Sequence, residues 1–148
     1  MKRWILAAGY LLAVHTAASA QTVTGTWKGE YDSGVSGNGD QVRVTRRSVV
    51  TLILEQKGDS VFGNWAAQPA PPDSKPITLS GKVTGSTLRI TTGTRDVPVV
   101  VDGKQETRRV RTDWTGTVSA NEITGTMTIY VGGNDDPPRR NWRVVRQR

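Results

Sequence analysis

Short segments rich in Val, Thr, Ile, Leu and Trp recur along the chain, separated by Gly, Asp, Asn, Ser and Pro. No stretch after residue 20 has the capped, 3.6-residue periodicity of a helix, so the pattern indicates strands. Eight main strands are predicted at about 23–31, 42–56, 60–67, 77–84, 87–93, 105–118, 122–131 and 139–147. A further short strand at 97–101 would extend the fifth strand or pair with the sixth.

Most connections between these segments have turn chemistry. The short ones are Lys57-Gly58-Asp59, Gly85-Ser86, Asp102-Gly103 and Ala120-Asn121. Asp102-Gly103 is typical of a type I′ turn, which needs positive φ at both central residues. Links this short cannot make parallel crossovers, so the neighbouring strands must run antiparallel. Longer loops are predicted at 32–40, at 68–76 with its four prolines, and at 132–138.

A glycine stands two residues before a large apolar side chain in five of the segments. The pairs are Gly25 and Trp27, Gly63 and Trp65, Gly81 and Val83, Gly116 and Val118, and Gly125 and Met127. Residues two apart share one strand face, and glycines within strands permit sharp bends. Repeated bends let a sheet curl shut. We therefore expect an all-β domain, an eight-stranded antiparallel up-and-down barrel, with a β-sandwich as the alternative.

The N-terminus is typical of a secretory signal peptide. Lys2 and Arg3 precede an apolar run from Trp4 to Val14, and Ala18-Ser19-Ala20 provides the small residues of a cleavage site. The apolar run is too short to span a bilayer. We expect cleavage before Gln21, a single barrel domain over 21–148, a secreted or periplasmic location, and no membrane span after cleavage.

Composition narrows the chemistry available to that domain. The chain has no Cys, and its one His, His15, lies in the predicted signal. Ser-His-Asp and Cys-His catalysis and zinc sites of the usual kind are therefore excluded from the domain. No metal, cofactor or catalytic residue is predicted. The net charge of +7 falls to +5 on cleavage, which attracts anionic partners. The alternative is an ordinary basic surface, because the charge is spread over many segments. No specific nucleic-acid partner is predicted.

Gly25-X-Trp27 on the first strand, together with an arginine on the last strand, resembles the calycin superfamily of lipocalins, fatty-acid-binding proteins and avidins. In lipocalins that Trp lies at the closed barrel end beneath a late Arg. The resemblance implies that Arg143 or Arg146, beside Trp142, packs over Trp27 by a cation–π contact. Biotin binding is not implied, because avidins have Asn where this chain has Gly29.

Candidate ligand-binding residues follow from the aromatic and cationic content. Trp65 and Trp114 could line a cavity or simply fill the core. Arg46, with Arg43 and Arg47, and Arg109 and Arg111, with Arg108, form basic segments on two long strands. If those strands lie on one side of the barrel, the arginines would form a rim that binds carboxylates or phosphates. The alternative is a solvated surface.

Three functions remain open at this point. The first is a non-enzymatic exported protein that binds a small, partly apolar or anionic ligand. The second is a protein-interaction module, such as an inhibitor of an exported enzyme, acting through loop 32–40 or 68–76. The third is an enzyme of the isomerase or cyclase kind, which the absence of His and Cys disfavours.

Overall fold

The computed structural model describes residues 21–36, 43–68, 74–132 and 136–148, and this part of the chain is all-β. The predicted signal peptide lies outside it. Within the described residues, no helix has the length and apolar character needed to cross a membrane. The strands in this part are β1 (Gly25–Ser36), β2 (Arg43–Lys57), β3 (Ser60–Gln68), β4 (Ile77–Thr84), β5 (Thr87–Thr91), β6 (Arg95–Val101), β7 (Lys104–Val118), β8 (Glu122–Val131) and β9 (Arg139–Arg146).

Eight of these strands close into a barrel. Their order around the ring is β1-β2-β3-β4-β5-β7-β8-β9, every neighbouring pair is antiparallel, and β9 returns to pair with β1. Closure removes the unpaired edges that an open sheet would leave. The predicted antiparallel barrel is confirmed, and the sandwich is excluded because one continuous sheet surrounds a single core.

The extra strand β6 continues the line of β5 along the same edge of β7. β5 pairs with residues 113–117 of β7, and β6 pairs with residues 104–110. Between them the chain turns at Gly93, whose φ is +66°. Asp102 and Gly103 have φ values of 50° and 76° and close the hairpin, as a type I′ turn requires. We call residues 95–109 the β6–β7 arm, because β6 pairs only with β7 in the described structure.

In the five pairs of a glycine and a large apolar residue, the large side chain points into the barrel. Trp27, Trp65, Val83, Val118 and Met127 are all buried in one core cluster. A Cβ on Gly81 or Gly125 would lie 1.9 Å from a carbonyl oxygen of the neighbouring strand. Adjacent backbones thus approach closely where the strands bend, which allows an eight-stranded sheet to curl tightly.

The two ends of the barrel differ. The closed end carries the short hairpins at 57–60, 84–87 and 118–122 and is capped by Val23 and Trp27. At the open end, β1, β3 and β8 end at Ser36, Gln68 and Val131, and the β6–β7 arm extends from the barrel. Residues 32–36 of the predicted loop 32–40 belong to β1, which continues through bulges near Gly34 by pairing with the start of β2. Residues 37–40 and 69–73, from the two loops proposed for partner binding, lie outside the described residues.

Candidate functional site

Four aromatic side chains fill the middle of the barrel and form what we call the aromatic floor. They are Tyr31 on β1, Trp65 on β3, Trp114 on β7 and Trp142 on β9, each no more than 9% exposed. Ring centroids lie 5.6 Å apart for Trp65 and Trp114 and 5.1 Å apart for Trp114 and Trp142, with edge-to-face orientations. These rings pack against one another and fill this level of the barrel, so a ligand could enter only on the side of the open end.

The indole N–H groups divide into two kinds. Nε1 of Trp27 donates to the carbonyl oxygen of Val23 at 2.9 Å, and Nε1 of Trp142 donates to that of Thr115 at 3.2 Å. Nε1 of Trp65 and Nε1 of Trp114 are buried and have no acceptor among the described residues. A buried donor without an acceptor costs about 1–3 kcal/mol. The floor therefore holds two donors that favour an incoming oxygen atom.

Apolar side chains form the wall above the floor. Ala67 on β3, Ile77 on β4 and Ile129 on β8 are partly buried and pack against the core. On their own strands, each is nearer the open end than the neighbouring core residue: Ala67 is beyond Trp65, Ile77 beyond Leu79 and Ile129 beyond Met127. An aromatic floor, an aliphatic wall and a few polar groups are the usual make-up of a small-molecule site.

Side chains replace the backbone ladder where β1 and β9 separate at the open end. The ladder ends at Tyr31 and Trp142. Beyond it, Nη1 of Arg140 donates to the carbonyl oxygens of Asp32 and Ser33, and the backbone N–H of Asn141 donates to Oδ2 of Asp32 at 3.2 Å. The open-end seam is thus held by one guanidinium and one buried carboxylate.

Arg140 is the more unusual of these two groups because it lies half-buried on the inner face of β9, two residues from Trp142. Burial lowers the pKa of Arg140 from its ordinary value, and the nearby Tyr31 and Asp32 act in the opposite direction. Its Nε is buried and has no acceptor among the described residues. Arg140 therefore presents a desolvated, partly unsatisfied cation to the barrel mouth.

A second arginine reaches the same place from β2. Nε of Arg46 donates to Oγ of Ser33 at 3.2 Å, and Oγ of Ser48 donates to the same oxygen at 2.7 Å. Arg46 and Ser48 alternate with Val50, so they belong to the inner face of β2. The predicted ligand residues Arg46, Trp65 and Trp114 therefore all lie on the inner face.

The β6–β7 arm extends this inner face beyond the rim. Arg108 lies two residues before the buried Val110, and Arg95 is paired with Val110 across the ladder. Arg108 also makes an ion pair with Glu106 at 3.2 Å. Arg46 and Arg140 add to these side chains, so positive charge exceeds negative charge among the described inner-face residues of the mouth.

Arg109 and Arg111 face outward and do not reach the mouth. Arg109 lies 4.0 Å from Asp96, and Arg111 lies 3.1 Å from Asp113 and over the ring of Tyr130 at 4.3 Å. The Arg111–Asp113 contact is an ion pair without hydrogen-bond geometry. β2 and β7 are separated by three strands in either direction around the ring. The two basic segments therefore do not form one rim on one side of the barrel.

Arg146 takes the position over Trp27 at the closed end. Its guanidinium carbon lies 4.2 Å from the ring centroid, and it donates to the carbonyl oxygens of Thr24 and Thr22 at 2.5 and 2.6 Å. Gly25 has a φ of +139°, and a Cβ there would lie 3.0 Å from Nη1 of Arg146. Arg143 faces outward and pairs with Glu122. Trp142 belongs to the aromatic floor rather than to the cap.

No protein-family model matches the chain, and no curated protein is similar to it. The closed antiparallel barrel is compatible with the calycin architecture, and the resemblance to that superfamily depends on Gly25, Trp27 and Arg146. Function must therefore be argued from the geometry of the open end.

Sequence reasoning misses several residues at this end, namely Tyr31, Ser33, Ser48, Arg95 and Arg140. Two of them could have been predicted, because residues two apart on a strand share one face of the sheet. Tyr31 shares a face with Trp27, and Arg140 shares a face with Trp142 and Val144. The same rule places Arg108, rather than Arg109 or Arg111, on the face of Trp114.

Proposed function

We propose that the protein is an exported, non-enzymatic binding protein of calycin type, which holds a small, partly apolar and anionic ligand at the open end of its barrel. The observation that carries this proposal is the pair of buried indole N–H groups of Trp65 and Trp114, which have no acceptor in the part of the chain that the structure describes. Both donors would gain a hydrogen bond from a ligand oxygen, and the apolar wall would bury its hydrocarbon part.

Charge supports the anionic character of the ligand. Inner-face positions of the mouth include Arg46, Arg95, Arg108 and Arg140, whereas Glu106, the acidic residue described on the same face of the arm, is paired with Arg108. A cationic opening raises the local concentration of anions and increases the rate at which they associate. The absence of His and Cys from the chain after residue 20 leaves little acid–base or nucleophilic chemistry for an enzyme.

Tryptophan fluorescence provides the test, because two floor tryptophans would contact the ligand. Titration with linear alkanoates from hexanoate to tetradecanoate, and with the matching alcohols, should give saturable changes in intensity or emission maximum. Trp65→Phe and Trp114→Phe should each weaken binding, whereas Trp27→Phe, at the closed end, should not. Linear, unsaturable responses across the whole series would contradict the proposal.

Export is a separate part of the proposal with a separate test. Mass spectrometry of the protein recovered from outside the cytoplasm should show a chain that begins at Gln21. Recovery of a chain that still carries residues 1–20 from the cytoplasm would remove export from the proposal while leaving the binding site to be judged by fluorescence.

A further inference from the structure

Two guanidinium groups converge on Ser33 from opposite sides. Arg46 reaches its Oγ from β2 at 3.2 Å, and Arg140 reaches its carbonyl oxygen from β9. The hydroxyl of Ser48 is 2.7 Å from Oγ of Ser33. Both groups are positively charged, so an anion that lies between them would be attracted by both.

Among the described residues, Asp32 favours the charged form of Arg140, but it is shared with Arg47. Asp32 is the closest acidic group in the seam, and its two oxygens accept from Arg47 and from the backbone of Asn141. Among the ion pairs of the described residues, none includes Arg46 or Arg140. Within the described part of the chain, the Asp32 carboxylate is thus shared between Arg47 and Arg140, and Arg46 has no acidic partner.

Arg140 is already fixed in position. Its Nη1 is held by the two carbonyl oxygens of the β1 bulge, and its Nε is buried without an acceptor in the described structure. A desolvated guanidinium of fixed orientation binds an oxyanion with little further loss of side-chain entropy. Arg46 is exposed and can approach the anion from solvent.

We propose that Arg46, Arg140, Ser33 and Ser48 form an oxyanion subsite that receives the carboxylate or phosphate group of the ligand. This inference rests on the proposed function, because it identifies the chemistry of the ligand's head group. In the bound state, the guanidinium N–H groups donate to the anion. The hydroxyls of Ser33 and Ser48 rotate toward it from their present acceptors, the carbonyl oxygen of Arg46 and Oγ of Ser33. The hydrocarbon part then lies over the aromatic floor against Ala67, Ile77 and Ile129.

The first experiment measures the anion subsite without any apolar ligand. Thermal unfolding of the wild-type protein is followed in inorganic phosphate and in chloride at matched ionic strength and pH. Phosphate should raise the melting temperature through specific binding to the folded state. Arg46→Met should lose most of that increase, while Arg109→Met, an exposed arginine on the outer face, should keep it.

The second experiment compares dodecanoate, dodecyl phosphate and dodecanol by tryptophan fluorescence. Arg46→Met should weaken binding of both anions by about tenfold or more, the typical effect of losing a charge-assisted hydrogen bond. It should leave dodecanol binding unchanged, and Arg109→Met should alter none of the three. Equal loss for dodecanol and the anions would overturn the subsite.

The two experiments separate the possible failures. Saturable dodecanol binding without any phosphate effect, in wild type or variant, would reject the oxyanion subsite and keep the proposed function. Stabilisation by phosphate that depends on Arg46, with no binding of any twelve-carbon probe, would keep the subsite and reject the apolar part of the proposed function. A free anion as the natural ligand would give the second result, and an amphiphile would give positive results in both.

Discussion

Tryptophan and arginine side chains have different hydrogen bonding at the closed and open ends of this barrel. At the closed end, the N–H of Trp27 has an acceptor, its ring is covered by Arg146, and that arginine donates to main-chain carbonyls. At the open end, the N–H groups of Trp65 and Trp114 and the Nε of Arg140 have no acceptor among the described residues. Unsatisfied polar groups that persist in a packed interior are typical of binding sites rather than of structural cores.

The difference suggests that the closed end serves stability and the open end serves binding. The closed end ties the first strand to the last, which stabilises the barrel. The open end gives up ladder hydrogen bonds between β1 and β9 and holds its seam with Arg140 and Asp32 instead. We therefore expect substitutions at the closed end to lower stability and substitutions at the open end to lower affinity.

The largest expected effect is that of Trp27→Ala. The side chain is fully buried and also supports Arg146, so its truncation should lower the free energy of unfolding by about 3–5 kcal/mol. Trp65→Ala should cost less, because it also removes an unsatisfied donor. Urea unfolding followed by circular dichroism measures both. A larger loss of stability for Trp65→Ala than for Trp27→Ala would contradict the view that the closed end stabilises the barrel.

Next in size is the exchange of the capping arginine. Arg146→Met removes the cation–π contact and the hydrogen bonds to Thr22 and Thr24, and should cost about 1–3 kcal/mol. Arg143→Met is the matched control on the same strand, and its exposed ion pair with Glu122 should contribute about 0–1 kcal/mol. Equal losses for the two variants, in the same denaturation experiment, would show that the cap does not depend on Arg146.

A smaller effect distinguishes the two adjoining tryptophans of the floor. Trp142→Phe removes a donor that is bonded to Thr115, whereas Trp114→Phe removes one that has no acceptor in the described structure. The loss of ring volume is the same in both. Trp142→Phe should therefore cost about 1–3 kcal/mol more than Trp114→Phe. Identical unfolding midpoints would mean that the N–H of Trp114 finds a partner in solution.

The smallest expected change in stability is that of Arg46→Met. The side chain is exposed, and its hydrogen bond among the described residues is to Ser33, so the free energy of unfolding should change by no more than about 0.5 kcal/mol. The same variant should lower affinity for anionic probes, which dissociates function from stability at this end. A loss of stability comparable to that of Arg146→Met would assign Arg46 a structural role.

Strand positions and hairpins could be predicted from sequence because both are set locally. Glycines mark the turns, and apolar side chains at every second position mark the strands. The hairpins that pair Lys57 with Ser60 and Val101 with Lys104 were predicted in this way. The same alternation could also have decided which arginine covers Trp27. Arg146, unlike Arg143, shares the face of Trp142, which distinguishes the two candidates for the cap.

Other features depend on the whole sheet. The separation of β1 from β9 depends on where bulges near Gly34 shift the register, and no local pattern reveals where that ladder ends. Whether an indole N–H finds an acceptor depends on strands far apart in sequence. The placement of β2 opposite β7 likewise follows only from ring order, and it separates the arginines that the sequence appeared to group.

The β6–β7 arm also bears on how the protein meets its own copies. Closure pairs each barrel strand on both sides, but β6 runs past the rim and, among the described residues, pairs on one side with β7 alone. Pro98 stands in the middle of β6, and proline has no N–H with which to extend a ladder. A second molecule aligned along this strand would find a donor missing at its centre. The sheet therefore terminates at the arm, which protects the barrel against fibre-like growth.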